Sequence, residues 1–271
     1  MIEMVKGDEA ARLFLEHIGV EPGGRGIDFL RELTIHFARF PYENISKIIK
    51  MSVSGDPRRS LRLPSEVARD HIDKNFGGTC FSLTFFVEKV LRSFGFDAYK
   101  VMADMNSGKN VHCLVVVQEG GARYLIDPGY ALYEVIRLPE VMTRVSCPHA
   151  VVEVVSSGGG RYSLWTTDAS GRKWRYAFND TPVDEADFER YWIESFARPT
   201  LHNICLTRMT PRGHIYLRKD FFKFTSRDSI EKRKVREDVE GLIEEAFGIR
   251  GEFAKVALEI LTKRREATWH K

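Results

Sequence analysis

The hydrophobic pattern of this 271-residue chain changes near residue 97, and this change constrains the fold more than any other feature. Before it, apolar residues recur at helical spacing, which predicts helices over residues 10–18, 28–40, 62–73 and 79–94. After it, alternating β-branched and aromatic residues predict strands over residues 98–103, 111–118, 123–126, 149–155, 162–166 and 174–178. This order favours an α+β fold over one in which strands and helices alternate.

The last third of the chain is predicted to mix helix and strand. Helices are expected over residues 184–196, 236–247 and 252–263, and a hairpin over residues 204–206 and 214–217. We therefore expect three units, which are a helical unit over residues 1–97, an antiparallel β unit over 98–183 and a mixed unit over 184–271.

The predicted helix over residues 79–94 is apolar on nearly all sides, which is typical of a buried helix. Thr79 is a candidate N-cap, and Gly95 between two phenylalanines is typical of a helix end. Cys80 follows Gly77-Gly78-Thr79 and lies in the first turn, where free N–H groups and the helix dipole lower the pKa of a thiol. The alternative is that Cys80 is a small buried apolar residue.

His112 and Asp127 are expected to meet on a hairpin that turns at Gly120-Gly121. If Glu119 faces Ala122, Asp127 pairs with Leu114, which shares a face of its strand with His112. The two side chains are then diagonal neighbours, about 5–8 Å apart. Cys113 points to the opposite face and is excluded from this pair.

A thiol at a helix start beside a His–Asp pair is the arrangement that a cysteine nucleophile requires. In that interpretation Cys80 attacks, His112 is the base and Asp127 orients the imidazole. The alternatives are that His112 is a hydrogen-bonded core histidine and that Asp127 is a turn residue before Pro128-Gly129.

Three segments resemble the arylamine N-acetyltransferases. HFARFPYENISKI (residues 36–48) is similar to the segment containing PFEN, and FGGTCFSLTFFVEKVLRSFGF (residues 76–96) is similar to RGGxCxExN and its helix. VHCLVVV (residues 111–117) and YLIDPGY (residues 124–130) are similar to the histidine and aspartate strands of the family. The order Cys, His, Asp, with spacings of 32 and 15 residues, also suits that family.

The resemblance implies a helical bundle, an antiparallel β-barrel or sheet, a C-terminal α/β lid and a cysteine-proteinase-like catalytic core. It implies transfer of acetyl from acetyl-CoA through Cys80 to an arylamine, hydroxylamine or hydrazine. Phe76, Ser82 and Thr84 stand where the motif has arginine, glutamate and asparagine. Since the family arginine pairs with the glutamate of the PFEN segment, Glu43 is expected to pair with Lys74 or Arg69 instead.

Other functions fit the same residues. A thiol hydrolase or transglutaminase-like enzyme uses the same triad in the same chain order, and an amide synthase or a non-catalytic ligand-binding relative could share the scaffold. Candidate aromatic residues lining a substrate pocket, for each of which core packing is the alternative, are Phe40, Phe76, Tyr130 and Phe196.

Composition excludes several partners. The 41 Lys and Arg against 38 Asp and Glu give a net charge of +3, which does not favour nucleic acid. No long apolar stretch, signal-like N-terminus, C-x-x-C pair or His-x-x-x-His pair is present, so we expect no membrane span, a cytoplasmic location and no metal. The basic residues from Arg208 onward either contact the phosphates of CoA or form a solvated face.

Overall fold

The computed structural model describes residues 2–20, 24, 26–130 and 132–269. Within these residues the α-helices are α1 Ile2–Ile18, α2 Gly26–Phe37, α3 Ile45–Ser54, α4 Pro64–Lys74, α5 Cys80–Ser93, α6 Glu185–Glu194, α7 Val239–Phe247 and α8 Gly251–Trp269. The strands are β1 Tyr42–Glu43, β2 Asp97–Met105, β3 Gly108–Glu119, β4 Ala122–Ile126, β5 Ile136–Arg137, β6 Met142–Ser146, β7 Val151–Ser156, β8 Arg161–Asp168, β9 Gly171–Asn179, β10 Cys205–Thr210, β11 Gly213–Arg218, β12 Phe221–Thr225 and β13 Ile230–Lys234. The predicted α+β class is confirmed.

Four N-terminal helices share one apolar core. The aromatic side chains of Phe14, Phe37, Phe40 and Phe86 stack or meet edge to face at its centre. The predicted helix at α5 is confirmed, and it ends as expected, because Gly95 has φ +83° and Phe96 N–H bonds the carbonyl oxygen of Leu91. One face of α5 packs on β2 and β3, which brings the helical core against the sheet.

An eight-stranded antiparallel sheet with the order β5-β4-β3-β2-β9-β8-β7-β6 forms the middle of the molecule. Its edge strands β5 and β6, which the sequence pattern did not predict, approach each other, so the sheet curls toward a barrel. The hairpin of β3 and β4 turns at Gly120 and Gly121, both at positive φ, and Glu119 faces Ala122 as predicted.

A second antiparallel sheet has the order β1-β10-β11-β12-β13. Its first strand, Tyr42–Glu43, comes from the N-terminal third of the chain and pairs with β10. Helices α3, α7 and α8 share an apolar core with this sheet. Strands β12 and β13 and helix α3 were not predicted, and the division of the chain at residues 97 and 183 stays a prediction.

In the part of the chain that the structure describes, no helix is both long and apolar enough to cross a membrane.

Candidate active site

Cys80 is the first residue of α5 and is 8% exposed. The loop before it is bound to β1 and to the residue that precedes this strand, since Gly78 N–H donates to Pro41 O at 3.3 Å and Glu43 N–H donates to Gly78 O at 3.0 Å. A Cβ atom on Gly77 would lie 1.9 Å from Pro41 O, so only glycine fits this close approach. The backbone therefore determines where the thiol lies.

The structure brings the His112 imidazole and the Asp127 carboxylate together. Nε2 of His112 lies 2.8 Å from Oδ2 of Asp127, and because a carboxylate only accepts, Nε2–H is the donor. A Cβ atom on Gly129 would lie 2.7 Å from Cys80 Cβ and 3.1 Å from His112 Cε1. Both residues thus border Gly129, and the three residues named from the sequence meet where α5 begins.

Asp127 is fully buried, and its two oxygens have separate partners. Oδ1 accepts from the backbone N–H of Tyr130 at 2.9 Å, and Oδ2 also accepts from the hydroxyl of Tyr176 at 2.7 Å. These bonds hold the carboxylate toward His112. Sequence reasoning predicted the strand that carries Tyr176 but missed its role, because the pairing of β9 with β2 is not visible in a local pattern.

The electrostatics of the site favour a thiolate beside an imidazolium. The pKa of the Cys80 thiol is held well below its usual range, and the largest cause is a hydrogen bond from the Cys113 thiol. Burial acts to raise this pKa, but His112 and Lys47 lower it further, so the lowering effects prevail. Burial acts to lower the pKa of His112, but the charge and hydrogen bond of Asp127, together with Cys80, raise it to about 10. The two groups therefore stay charged at neutral pH.

Cys113 lies on the face of β3 opposite the His–Asp pair, where it packs in the cluster that contains Cys80. Burial raises the pKa of the Cys113 thiol, so it remains a donor. The hydroxyl of Thr84 on α5 donates to Cys113 O at 3.0 Å, which ties the strand to the helix. The sequence pattern correctly placed Cys113 and His112 on opposite faces of their strand. It did not predict that the face carrying Cys113 contacts the start of α5.

The expected partner of Glu43 was wrong. Lys74 pairs with Asp70, Arg69 pairs with Glu9, and the cation beside Glu43 is the buried guanidinium of Arg62, 3.6 Å from Oε1. The arginine of the motif, absent at Phe76, is thus replaced by one from a different segment. No local pattern marks Arg62, because its contacts come from three separate parts of the chain.

Lys47 is a further residue of this region that sequence reasoning missed. It lies on α3, is 5% exposed, and its Nζ donates to Ser195 Oγ at 2.5 Å. Burial lowers its pKa to about 7, and the charge of Cys80 acts in the opposite direction.

The four candidate pocket residues lie in different surroundings. Phe40 stacks on His71 inside the helical core, and Phe76 packs on Phe253 in the core of the second sheet. Tyr130 and Phe196 are only partly buried, the first beside Tyr176 and the second against the cluster of Cys80. Tyr130 and Phe196 are therefore the two that border the thiol and the His–Asp pair.

A family model described as N-acetyltransferase matches residues 26–256. This match covers most of the chain and includes every residue of the site described above. The chain belongs to the arylamine N-acetyltransferase family. It is therefore an enzyme of the acyltransferase class.

Solved structures of arylamine N-acetyltransferases have the same fold as this family member. The Mycobacterium abscessus enzyme aligns with a TM-score of 0.79 at 20% identity, covering 94% of this chain and 96% of its own. The Salmonella typhimurium enzyme aligns with a TM-score of 0.74 at 17% identity, covering 92% and 98%. A Bacillus cereus enzyme described as having a Cys-His-Glu catalytic triad aligns with a TM-score of 0.70 at 18% identity, covering 89% and 98%. A comparison with curated proteins gave no significant match.

Proposed function

We propose that this arylamine N-acetyltransferase family member transfers acetyl from acetyl-CoA to an arylamine- or hydrazine-type amine through a thioester on Cys80. The observation that carries the proposal is the 2.8 Å bond between His112 and Asp127 next to a thiol of low pKa at the start of α5. Cys80 is the nucleophile, His112 transfers protons and Asp127 orients the imidazole.

In the first half-reaction the Cys80 thiolate attacks the thioester carbonyl carbon. The new C–S bond forms, the bond to the CoA sulfur breaks, and the leaving thiolate takes the proton of the His112 imidazolium. Because one thioester is exchanged for another, the step has little thermodynamic cost. Free N–H groups in the first turn of α5, including that of Cys80, support the oxyanion that forms on the way.

In the second half-reaction the amine attacks the acetyl carbon on Cys80. The C–N bond forms, the C–S bond breaks, and the amine proton passes to His112, which restores the imidazolium and the thiolate. Weakly basic aromatic amines suit this step because they are neutral at pH 7 and keep their lone pair. Asp127 stabilises the imidazolium in both halves, since its carboxylate is held by Tyr130 and Tyr176.

The proposal also covers the partners of the enzyme and its location in the cell. Small-molecule amine and CoA thioester are the proposed partners, and the basic residues from Arg208 onward are the proposed contacts of the CoA phosphates. The cytoplasm is the proposed location because all four cysteines are free thiols in the structure.

Intact-mass measurement after incubation with acetyl-CoA tests the proposal. We expect one added acetyl group on the wild-type protein, none on Cys80→Ala, and loss of the group when an aromatic amine is added. No added mass with a range of acyl-CoAs contradicts the proposal. Release of acetate at the same rate with and without amine, or cleavage of a peptide amide without CoA, indicates the thiol hydrolase instead.

A further inference from the structure

Cys80 and Thr84 lie one turn apart on the face of α5 that packs against β3. The sulfur of Cys80 is 4.0 Å from Val111 O, and the hydroxyl of Thr84 donates to Cys113 O at 3.0 Å. The side chains of Val111 and Cys113 share one face of β3, because side chains alternate along a strand. Cys113 is therefore on the side of β3 that the first turns of α5 cover.

The thiols of Cys80 and Cys113 lie side by side in an apolar environment. Both belong to the buried cluster that Phe81, Phe188 and Trp192 complete, and the Cys113 thiol donates a hydrogen bond to Cys80. Cys80 is 8% exposed and Cys113 is 0% exposed. A small reagent from solvent therefore reaches Cys80 first, while Cys113 is covered by its neighbours.

The other two cysteines lie outside this cluster. Cys147 is buried in the core of the large sheet, and Cys205 is on β10 of the second sheet. Burial raises the pKa of the Cys147 thiol to about 12 and that of the Cys205 thiol to about 11. Of the four cysteines, Cys113 is the one whose thiol is paired with the nucleophile.

We propose that Cys80 and Cys113 form a redox-modification site, at which a hydroperoxide oxidises the pair to a disulfide that a thiol reductant reopens. This site goes beyond acyl transfer, because it needs a reactive thiolate with a second thiol beside it and neither amine nor CoA. The disulfide blocks the nucleophile while it lasts. Since reduction restores both thiols, the pair protects Cys80 from irreversible oxidation.

In the first step the thiolate of Cys80 attacks the terminal oxygen of the hydroperoxide. The S–O bond forms, the O–O bond breaks, and the leaving alkoxide or hydroxide takes the proton of the His112 imidazolium. The sulfur loses two electrons and becomes a sulfenic acid, and the peroxide is reduced to an alcohol or to water. A thiol of low pKa suits this step, because the thiolate is the form that reacts.

In the second step the sulfur of Cys113 attacks the sulfenic sulfur. The S–S bond forms, the S–O bond breaks, and the proton of the Cys113 thiol leaves with the hydroxide as water. In the reduced protein, burial together with the hydrogen bond and charge of Cys80 raises the pKa of the Cys113 thiol. Oxidation removes that charge from Cys80, so Cys113 loses its proton more easily once the sulfenic acid has formed.

The alternative is that Cys113 only donates a hydrogen bond to the thiolate. In that case peroxide converts Cys80 through the sulfenic acid to the sulfinic and sulfonic acids, which thiols do not reduce. The two roles lead to different products and not merely to different rates. The mass of the oxidised protein therefore separates them, even where a substitution at Cys113 changes the pKa of Cys80.

Intact-mass measurement after treatment with hydrogen peroxide or tert-butyl hydroperoxide tests the proposal. We expect the wild-type protein to lose two hydrogen atoms, and a peptide map made without reductant to show Cys80 linked to Cys113. Cys113→Ser, which keeps a hydrogen-bond donor, should gain oxygen atoms instead. After dithiothreitol treatment the wild type should regain its alkylation by iodoacetamide, and that of Cys113→Ser should stay about tenfold lower.

Cys147→Ala and Cys205→Ala are the matched controls, because each removes one thiol outside the cluster. Both should form the same disulfide as the wild type, and the thermal midpoint of each variant shows that it is folded. Gain of oxygen by the wild type without the disulfide overturns the proposal. So does a link from Cys80 to Cys205, or equal recovery of the wild type and Cys113→Ser.

The redox site and the proposed function fail in different experiments. A protein that forms the disulfide with peroxide but takes no acetyl group from any acyl-CoA supports the redox site and overturns the proposed function. A protein that is acetylated on Cys80 but forms no disulfide with peroxide overturns the redox site alone.

Discussion

The guanidinium of Arg62 donates a 2.6 Å hydrogen bond to the carbonyl oxygen of Gly77, three residues before Cys80. The same side chain donates to Ser46 Oγ and Asp70 Oδ2, both at 2.8 Å, and lies beside the buried Glu43. One arginine thus joins the segment of β1, the helix α4 and the loop that precedes the thiol. We therefore expect its removal to affect both the stability of the fold and the position of Cys80.

Arg62→Met is expected to lower the free energy of unfolding by about 3–5 kcal/mol, because it leaves Glu43 buried without its cation. Urea denaturation measures the change. Arg59→Met is the control, since the Arg59 side chain is 79% exposed and its removal should change stability little. Adding Glu43→Gln to Arg62→Met should recover part of the loss, and additive effects would contradict the coupling of the two residues.

Cys80 is expected to react with iodoacetamide well below the pH at which free cysteine does. The donor Cys113 and then His112 lower the pKa of the thiol, and the pKa of His112 is raised to about 10, so the charged pair persists at pH 6. A pH profile of the alkylation rate measures this. His112→Asn should move the midpoint of the profile to higher pH. A wild-type profile centred near pH 8.5 would contradict the prediction.

Cys113→Ala should raise the pKa of Cys80, because the thiol that donates to it is lost. The alkylation rate at pH 6 should therefore fall while the rate at high pH remains. Cys113→Ser keeps a donor and should retain more of the low-pH rate. Cys147→Ala removes a buried thiol in the core of the large sheet and should leave the profile unchanged.

Tyr176→Phe should destabilise the fold by about 1–3 kcal/mol and slow acylation of Cys80, because a buried oxygen of Asp127 loses its 2.7 Å bond. Unfolding and the rate of mass gain with acetyl-CoA are the two measurements. Tyr162→Phe, in the neighbouring strand, removes a hydroxyl whose contact with Arg123 is 3.4 Å long. Equal effects of the two substitutions on acylation would show that the bond to Asp127 has no positioning role.

Stability should decrease as the pH falls from about 6.5 to about 4. Burial lowers the pKa of both His71 and His149 to about 4, so in this range the unfolded chain binds protons that the folded protein does not. Each histidine should contribute a slope of about 1.4 kcal/mol per pH unit. Urea denaturation at several pH values measures the slope. His71→Phe should reduce the slope by about 1.4 kcal/mol per pH unit, because the unfolded variant binds one proton fewer. An unchanged slope in that variant would contradict the assignment to His71.

Local patterns predicted the parts of the site whose geometry depends on neighbours in the chain. The register of β3 and β4 followed from the turn at Gly120-Gly121, since a two-residue turn leaves one pairing. The start of α5 at Cys80 followed from the glycines before it and the apolar pattern after it. Helix α3 was missed because the β-branched residues of ISKIIKMSVS are as compatible with a strand as with a helix.

The sequence by itself determined the α+β order, the helix that begins at Cys80 and the hairpin that brings His112 beside Asp127, because periodicity and turn chemistry act over a few residues. Only the tertiary structure decided that Arg62 supports Glu43, that Cys113 lies beside the thiol, that the charge of Lys47 acts on the thiol and that Tyr176 holds Asp127. These contacts join segments up to about 150 residues apart, such as Lys47 and Ser195. Close packing between elements that are distant in the chain determines these contacts, and a local sequence pattern does not predict that packing.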